Sequence, residues 1–200
     1  MDVIDMKRKW LIMLLAAVCM LLPTACAVGN DVQDMEKEIE YLPASWSYRY
    51  EDPKELSQAS DLIALVTVRE AGETTVESGV PYTVFSVTVI RPVFGSERDQ
   101  VFSIYMTGGE TEDRIVEVEG DPLPQPGDEM LVFCAENPDG TFRILGGPQG
   151  RLICEDGKFR SPDAAGGKSG QAEVFSGIVA EDADADALIR EIGKYLTDKA

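Results

Sequence analysis

Short apolar segments separated by turn residues dominate the chain between residues 62 and 160. Alternation of apolar and polar residues is typical of half-buried β-strands, whereas clusters of Gly, Pro, Asn and Asp reverse the chain, here at Gly72, 79–81, 94–96 and 137–140. The predicted strands are Leu62–Val68, Tyr82–Val89, Val101–Met106, Met130–Ala135, Phe142–Leu145, Arg151–Cys154 and Lys158–Arg160. Many short strands at this spacing favour a barrel or a sandwich.

Helices are predicted on either side of the strand-rich region. Asp52 is a good cap and Pro53 fits a first helical turn, so a brief helix is expected to end near Ser60. A C-terminal helix over 184–198 is predicted from one apolar face, formed by Leu188, Ile189, Ile192, Tyr195 and Leu196. Such a face usually packs on its own domain.

Three less regular segments complete the secondary-structure prediction. Aromatic alternation over Trp46–Tyr50 predicts a first strand, and a short helix is allowed over Met35–Tyr41. Glu173–Ile178 is predicted to add a further strand. Gly166–Ser169 imitates the end of a phosphate-binding loop but lacks the preceding glycine, so it is interpreted as a flexible loop.

The N-terminal segment has the three parts of an export signal. Basic residues 7–9 precede the apolar run Trp10–Leu22, which is shorter than the roughly 20 residues that a membrane-spanning helix needs. Small residues then lead to Cys26, and this arrangement resembles a bacterial lipoprotein signal. The resemblance implies that the Cys26 sulfur is acylated and that the chain is cut before it. The alternative is an ordinary secretory peptide cut near Ala25 or Ala27.

The predicted domain organisation follows from this signal. Residues 1–25 are predicted to be a lipoprotein signal peptide, 26–44 an acidic tether, and 45–200 a β-barrel domain with its C-terminal helix. With 18 Lys+Arg against 36 Asp+Glu, the chain has a net charge of −18, which opposes binding to nucleic acids and anionic lipids. We therefore expect a protein anchored by lipid on the extracellular face of the cell membrane.

The chain contains no histidine, which excludes several kinds of chemistry. Ser-His-Asp and Cys-His catalysis in their ordinary forms need an imidazole, and so do zinc sites with histidine ligands. Beyond the signal, Cys134 and Cys154 each end a predicted strand. Export permits them to form a disulfide, and the alternative is two buried free thiols. No metal or cofactor is predicted.

Acidic side chains suggest two further hypotheses. Asp182, Asp184 and Asp186 match the first, third and fifth positions of a calcium-binding loop, but Ala187 and Gly193 replace the glycine and the glutamate that the loop needs. Helix capping is the better interpretation of this run. The carboxylate pairs are treated as coincidences of an acidic composition; they are Glu110 with Glu112 and Glu117 with Glu119.

Aromatic residues offer the one candidate ligand surface in the sequence. Trp46, Tyr48, Tyr50 and Tyr82 would form a face for sugars or peptides if they were exposed together. Ordinary packing in the core and at its rim is the favoured interpretation of these residues.

The order of several segments resembles that of poorly characterised extracellular lipoproteins of Gram-positive bacteria. The matching segments are Glu55–Val68, Tyr82–Val89, Val93–Gly95, Pro126–Phe133 and Gly147–Gly150. A more distant similarity is to the OB barrels of netrin modules and metalloproteinase inhibitors. The resemblance implies a mainly β fold, an OB-like, netrin-module-like closed or partly open antiparallel barrel with one short helix before it and a C-terminal amphipathic helix. An acylated Cys26 on a tether would not serve as the zinc-chelating terminus of those inhibitors.

These observations lead to one expected function and two alternatives. We expect a non-catalytic surface module that binds an extracellular protein, peptide or glycan. The alternatives are an extracellular enzyme that uses carboxylates or a metal, and a purely structural envelope protein. A cleft with converging Asp and Glu residues would favour the enzyme.

Overall fold

The computed structural model describes residues 37–43, 46, 48–162, 183–197 and 199. The fold is mainly β, with a closed five-strand barrel, a short helix before it and a C-terminal helix, which confirms the fold class expected from the sequence. In chain order the elements are β1 (Glu38–Leu42), α1 (Pro53–Ala59), β2 (Leu62–Glu77), β3 (Val80–Phe94), β4 (Val101–Thr107), β5 (Gly109–Glu110), β6 (Arg114–Val118), β7 (Glu129–Glu136), β8 (Phe142–Ile144), a 3-10 turn (Gly147–Gly150), β9 (Arg151–Glu155), β10 (Lys158–Arg160), β11 (Ala183–Asp184) and α2 (Ala185–Tyr195).

The barrel closes through strands β2, β3, β4, β8 and β7. Strands β2, β3 and β4 form an antiparallel meander, β7 and β8 form a hairpin, and β7 pairs antiparallel with β2. A parallel pairing between β4 and β8 completes the ring. In the ring the strands follow one another as β2–β3–β4–β8–β7. If the five are numbered in chain order, this is the 1-2-3-5-4 arrangement of an OB-like barrel.

Strand β7 is buried on both faces because it takes part in two layers. One edge pairs with β2, and the other pairs with β9 at its start and with β8 at its end. Strands β10 and β11 extend this sheet beyond β9. The nearly continuous apolar run of β7 follows from this position, since neither face meets water.

Two apolar clusters lie on opposite faces of the part of the sheet that strands β2, β7 and β9 form. The cluster inside the barrel includes Leu62, Val66, Phe85, Ile104 and Met130. The cluster outside it joins the β2–β7–β9 wall to both helices and includes Ile63, Phe133, Leu56, Leu188 and Ile192. The apolar face of α2 thus packs on its own domain, as the sequence predicted.

Helix α1 begins where the sequence places it. The Asp52 carboxylate accepts a hydrogen bond from Glu55 N–H at 2.8 Å, and Pro53 occupies the first turn. The helix ends at Ala59, and the Ser60 hydroxyl donates to the Leu56 carbonyl. This short helix leads directly into β2.

The hairpin of β2 and β3 is longer than predicted. The predicted reversal at Gly72 is wrong: this residue lies within β2, where the pairing with β3 is irregular between Ala71 and Thr74. The chain turns instead at Ser78 and Gly79, which both have positive φ. An irregular ladder tolerates a glycine and bends the hairpin without ending it.

A second, three-stranded sheet, in the order β1–β6–β5, was not predicted. Strand β1 pairs in parallel with β6, so a helix over Met35–Tyr41 is wrong for its described part. The structured domain also begins by Lys37, within the segment 26–44 that was predicted to be a tether. The predicted strand at Trp46–Tyr50 is wrong as well, because its described residues are in neither strand nor helix. Long-range pairing with β6 decides the conformation of β1, and a local pattern cannot report it.

Several predictions lie outside the described residues. They include the signal peptide 1–25, Cys26, the loop Gly166–Ser169 and the strand Glu173–Ile178. No helix within the described parts of the chain has the length and apolar character needed to cross a membrane.

Candidate functional site: an aromatic groove

A groove of about 390 Å³ lies at the ends of β4 and β8, beside the segment that precedes α1. Trp46, Tyr48 and Tyr50, which we call the aromatic arm, form one wall. The lining residues, which define the aromatic groove, are Trp46, Tyr48, Tyr50, Tyr105, Met106, Thr107, Asp121, Arg143, Ile144, Leu145, Gly146 and Gly147. Three of the four aromatic residues singled out from the sequence therefore meet in one groove.

The aromatic arm is held in place by the 3-10 turn. The buried Gln149 side chain accepts the Tyr50 N–H at 3.0 Å and donates to the Tyr50 carbonyl at 3.3 Å. These two bonds replace the ladder contacts that Tyr50 would have in a strand, so an irregular segment stays fixed.

Two glycines let the rings approach the turn. Gly147 has φ +57°, and a Cβ atom there would lie 2.3 Å from Cζ2 of Trp46. Gly146 has φ +63°, and its Cβ would lie 3.1 Å from Cδ2 of Tyr50. A side chain at Gly147 would therefore displace the indole, and both backbones favour glycine.

Four tyrosine rings form two pairs at the groove. Tyr48 and Tyr50 meet edge to face, with 4.8 Å between ring centroids. Tyr82 stacks on Tyr105 with a centroid distance of 4.7 Å. Tyr82 does not line the groove but supports Tyr105 from the neighbouring strand. Tyr48 is 55 % exposed, so its ring is available to a ligand, whereas Tyr50 belongs to the core.

Carboxylates lie close to the tyrosine hydroxyls at the rim. The Tyr48 hydroxyl donates to Oε1 of Glu55 at 2.5 Å, and this hydrogen bond raises the pKa of Tyr48. Burial, followed by the charge of Glu77 and smaller effects of its surroundings that include Asp139, raises the pKa of Tyr105. Glu55 therefore places negative charge beside Tyr48, and the charge of Glu77 acts on Tyr105.

Arg143 is the basic side chain that lines the groove. It is exposed and lies on β8, and its Nη1 donates to Oδ1 of Asn137 at 2.9 Å. This contact fixes one end of the guanidinium group.

An ion pair is buried beneath the groove. Arg151 Nη2 donates to Oδ1 of Asp121 at 2.5 Å and to the Pro122 carbonyl at 2.7 Å, and the two side chains are 1 % and 7 % exposed. Burial raises the pKa of the Asp121 carboxyl, and the Arg151 guanidinium opposes this rise. Because arginine keeps its proton, the pair anchors the loop after β6 to β9 as a structural contact.

The two cysteines do not form a disulfide. Both thiols are free in the structure, with Cys134 buried and Cys154 partly buried. Cys154 lies opposite Glu129 in the ladder, five residues from Cys134 along β7, a separation of about 16 Å at ~3.3 Å per residue. A disulfide needs Cα atoms within about 7 Å, so this register leaves one buried and one partly buried free thiol.

The predicted acidic sites are dispersed. Asp184 caps α2 through its bond to Ala187 N–H at 2.8 Å, whereas Asp186 pairs with Arg91, and Asp182 lies outside the described residues. Glu110 pairs with Lys37 at 2.7 Å beside a shallow depression that Glu112 also lines. Within the described residues, no group of three or more Asp, Glu, Cys or His side chains is arranged to hold a metal ion.

Sequence reasoning missed Tyr105, Arg143 and Asp121 as groove residues. Tyr105 and Arg143 are paired neighbours in the parallel β4–β8 ladder, which no sequence pattern predicted. The Gly146-Gly147-Pro148 run was recognised only as a turn signal. Its other role, accommodating the indole, depends on a contact with a residue about a hundred positions earlier.

No protein-family model, curated protein or solved structure matches this chain.

Proposed function

We propose that this protein is a non-catalytic binding module, anchored by lipid at Cys26 on the extracellular face of the membrane, whose ligand occupies the aromatic groove. The observation that carries the proposal is the open groove itself, in which exposed and half-buried aromatic rings converge with Arg143. Binding sites commonly combine apolar and aromatic walls with a few fixed polar groups. The resemblance to Gram-positive lipoproteins supports the location.

The placement of the groove on the barrel supports a binding role. OB barrels bind ligands on the face of their second and third strands and at the loops beside it. Here those strands are β3 and β4, which present the stacked pair Tyr82 and Tyr105. The loop between β7 and β8 supplies Asn137, which fixes Arg143. The net charge of −18 disfavours the nucleic acids that many such barrels bind.

The carboxylate-dependent enzyme is less well supported. Acid–base catalysis needs two groups within reach of one substrate atom and with different pKa values. Asp121 is the carboxyl group that lines the aromatic groove, and it is paired with Arg151. Glu110 is also paired, with Lys37, at a different depression. This distribution favours binding over chemistry.

Capture experiments with groove variants test the binding role. The full chain with a C-terminal tag is expressed in a Gram-positive host, cross-linked on intact cells and recovered with its partners. We expect Tyr48→Ala/Tyr105→Ala to lose at least one reproducible partner. Tyr41→Ala is the matched control, because Tyr41 is a 60 % exposed aromatic residue on β1, outside the groove. Identical partners for the wild type, the Tyr48→Ala/Tyr105→Ala variant and the Tyr41→Ala variant would refute the assignment of the groove as the binding site.

Mass analysis of the native product tests the anchor. We expect a chain that begins at Cys26 and carries the mass of a diacylglycerol on that residue. The Cys26→Ser variant should be released from the membrane fraction. A mature chain that begins near Ala27 without lipid would reject the anchor but not the binding role.

A further inference from the structure

We propose that the ligand of the aromatic groove is an extended basic segment of a protein or peptide, with a Lys or Arg side chain lying against the exposed tyrosine rings. This inference rests on the proposed function and specifies its partner. It follows from the combination of three features: the aromatic walls, the carboxylates that act on them and the Arg143 guanidinium group in the lining.

The first feature is the set of ring faces. Tyr48 is exposed, and Tyr105 is half-buried and backed by Tyr82 at a centroid distance of 4.7 Å. Ring faces attract a cation within about 6 Å through their negative quadrupole. Stacking also fixes the Tyr105 ring, so the binding of a cation there does not carry the entropic cost of ordering that side chain. The walls are therefore suited to the charged end of a long basic side chain.

The second feature is the charge at the rim. Glu55 accepts a hydrogen bond from the Tyr48 hydroxyl, and the negative charge of Glu51 also acts on Tyr48. On the other side, Glu77 and Asp139 act on Tyr105. Negative charge thus lies in direct contact with the Tyr48 hydroxyl and acts on Tyr105, so a cation gains both from the rings and from these carboxylates. The net charge of −18 also steers basic partners towards the molecule.

The third feature distinguishes a peptide from a small amine. Arg143 neighbours Tyr105 in the β4–β8 ladder and would repel a bare cation. Its guanidinium group has five N–H donors, however, and only Nη1 has described contacts, to Oδ1 of Asn137 and, at 3.5 Å, to the Glu136 carbonyl. Carbonyl oxygens of an extended backbone are natural acceptors for the remaining donors. A neutral glycan would also offer acceptors, but it would gain nothing from the surrounding carboxylates.

Titration with defined peptides tests the inference. The full chain in detergent carries Trp10→Phe, so that Trp46, in the wall of the groove, is its sole tryptophan and reports binding by fluorescence. The probes are a nine-residue peptide with three lysines separated by proline and glycine, its isomer with glutamine at each lysine position, and a neutral N-acetylglucosamine hexamer. We expect the lysine peptide to bind at least tenfold more tightly than the other two probes.

Variants separate binding in the groove from general attraction to an acidic protein. Tyr105→Ala leaves the net charge of the protein unchanged and should weaken the binding of the lysine peptide about tenfold. Glu77→Gln/Asp139→Asn should weaken it about fivefold. Glu97→Gln is the control, because this exposed carboxylate lies in the loop before β4, at the end of that strand away from Tyr105, and should change the affinity less than twofold.

Each outcome decides the inference. Equal affinity for the lysine and glutamine peptides, or an affinity that Tyr105→Ala leaves unchanged, would overturn it. Binding of the hexamer alone would assign the groove to glycans and preserve the proposed binding role. A lack of binding by any probe would overturn the basic-segment assignment, and the capture experiment on cells would then decide separately whether the groove binds a different partner.

Discussion

Gly147 is the residue on which the indole wall of the groove depends. Its positive φ brings the 3-10 turn close enough to Trp46 that no Cβ atom fits between them. The same turn places Gln149 against the Tyr50 backbone. A single glycine therefore links the conformation of the turn to the shape of the aromatic groove.

Replacement of Gly147 by alanine should displace Trp46. We expect a loss of at least 2 kcal/mol in the free energy of unfolding, because the strain of a left-handed alanine, roughly 1–2 kcal/mol, adds to the clash with the ring. Gly157→Ala is the matched control: its φ is +74°, and nothing lies within 4 Å of the new Cβ. Urea unfolding and the Trp46 emission maximum measure the two effects. Equal behaviour of both variants would contradict the contact.

The two thiols should differ in reactivity. Burial raises the pKa of Cys134, and burial, followed by the charge of Glu129, raises the pKa of Cys154. At pH 8 we expect Cys154 to react slowly with iodoacetamide and Cys134 to react only after unfolding. Peptide mapping without reductant measures both. Recovery of a linked Cys134–Cys154 peptide would contradict the register of β7 and β9.

At the residue scale, the sequence predicted the types of residue but not all their contacts. Trp46, Tyr48 and Tyr50 were recognised as a candidate aromatic face because they are concentrated in one short segment. Tyr105 and Arg143 were not, since their proximity to that face arises from the parallel pairing of β4 with β8. Contacts between residues distant in the chain leave no periodicity to detect.

Among the elements, helices with explicit capping residues were the most predictable. The starts of α1 and α2 at Asp52 and Asp184 follow from local hydrogen bonds, and the buried face of α2 follows from its 3.6-residue period. Strand β1 was missed because its residues are mostly exposed and its stability comes from pairing with β6. Local signals were thus sufficient only where local interactions determine the element.

The cap of α2 can be tested against the ion pair beside it. Asp184→Ala should lower the free energy of unfolding by about 1 kcal/mol, the usual cost of a lost N-cap. Asp186→Ala removes the exposed pair with Arg91 and should cost less, typically 0–1 kcal/mol. Thermal unfolding compares the two, and calcium should change neither midpoint. A midpoint raised by calcium only in the wild type would restore the calcium hypothesis.

For the whole molecule, the buried pair of Asp121 and Arg151 ties the second sheet to the barrel. Asp121 follows β6, whereas Arg151 begins β9 and contacts Met130 of the inner cluster. Removal of one partner leaves an uncompensated buried charge. The sequence contained no sign of this contact, because acidic and basic residues are frequent throughout the chain.

A single and a double variant together test this link. Asp121→Ala should lower the free energy of unfolding by about 3–5 kcal/mol, since Arg151 would remain buried without its partner. Asp121→Leu/Arg151→Met removes both charges and should lower the free energy of unfolding considerably less. Urea unfolding at one pH gives both values. If the double variant were as unstable as the single variant, the charge would not be the cause.

If Cys26 carries the proposed lipid, the early start of the folded domain limits the distance from the bilayer at which it can bind a partner. Because β1 begins directly after Lys37, the linker between a lipidated Cys26 and Lys37 contains only residues 27–36. These eleven residue steps reach at most about 40 Å when fully stretched. With the proposed anchor, any partner would therefore be bound within this distance of the lipid headgroups.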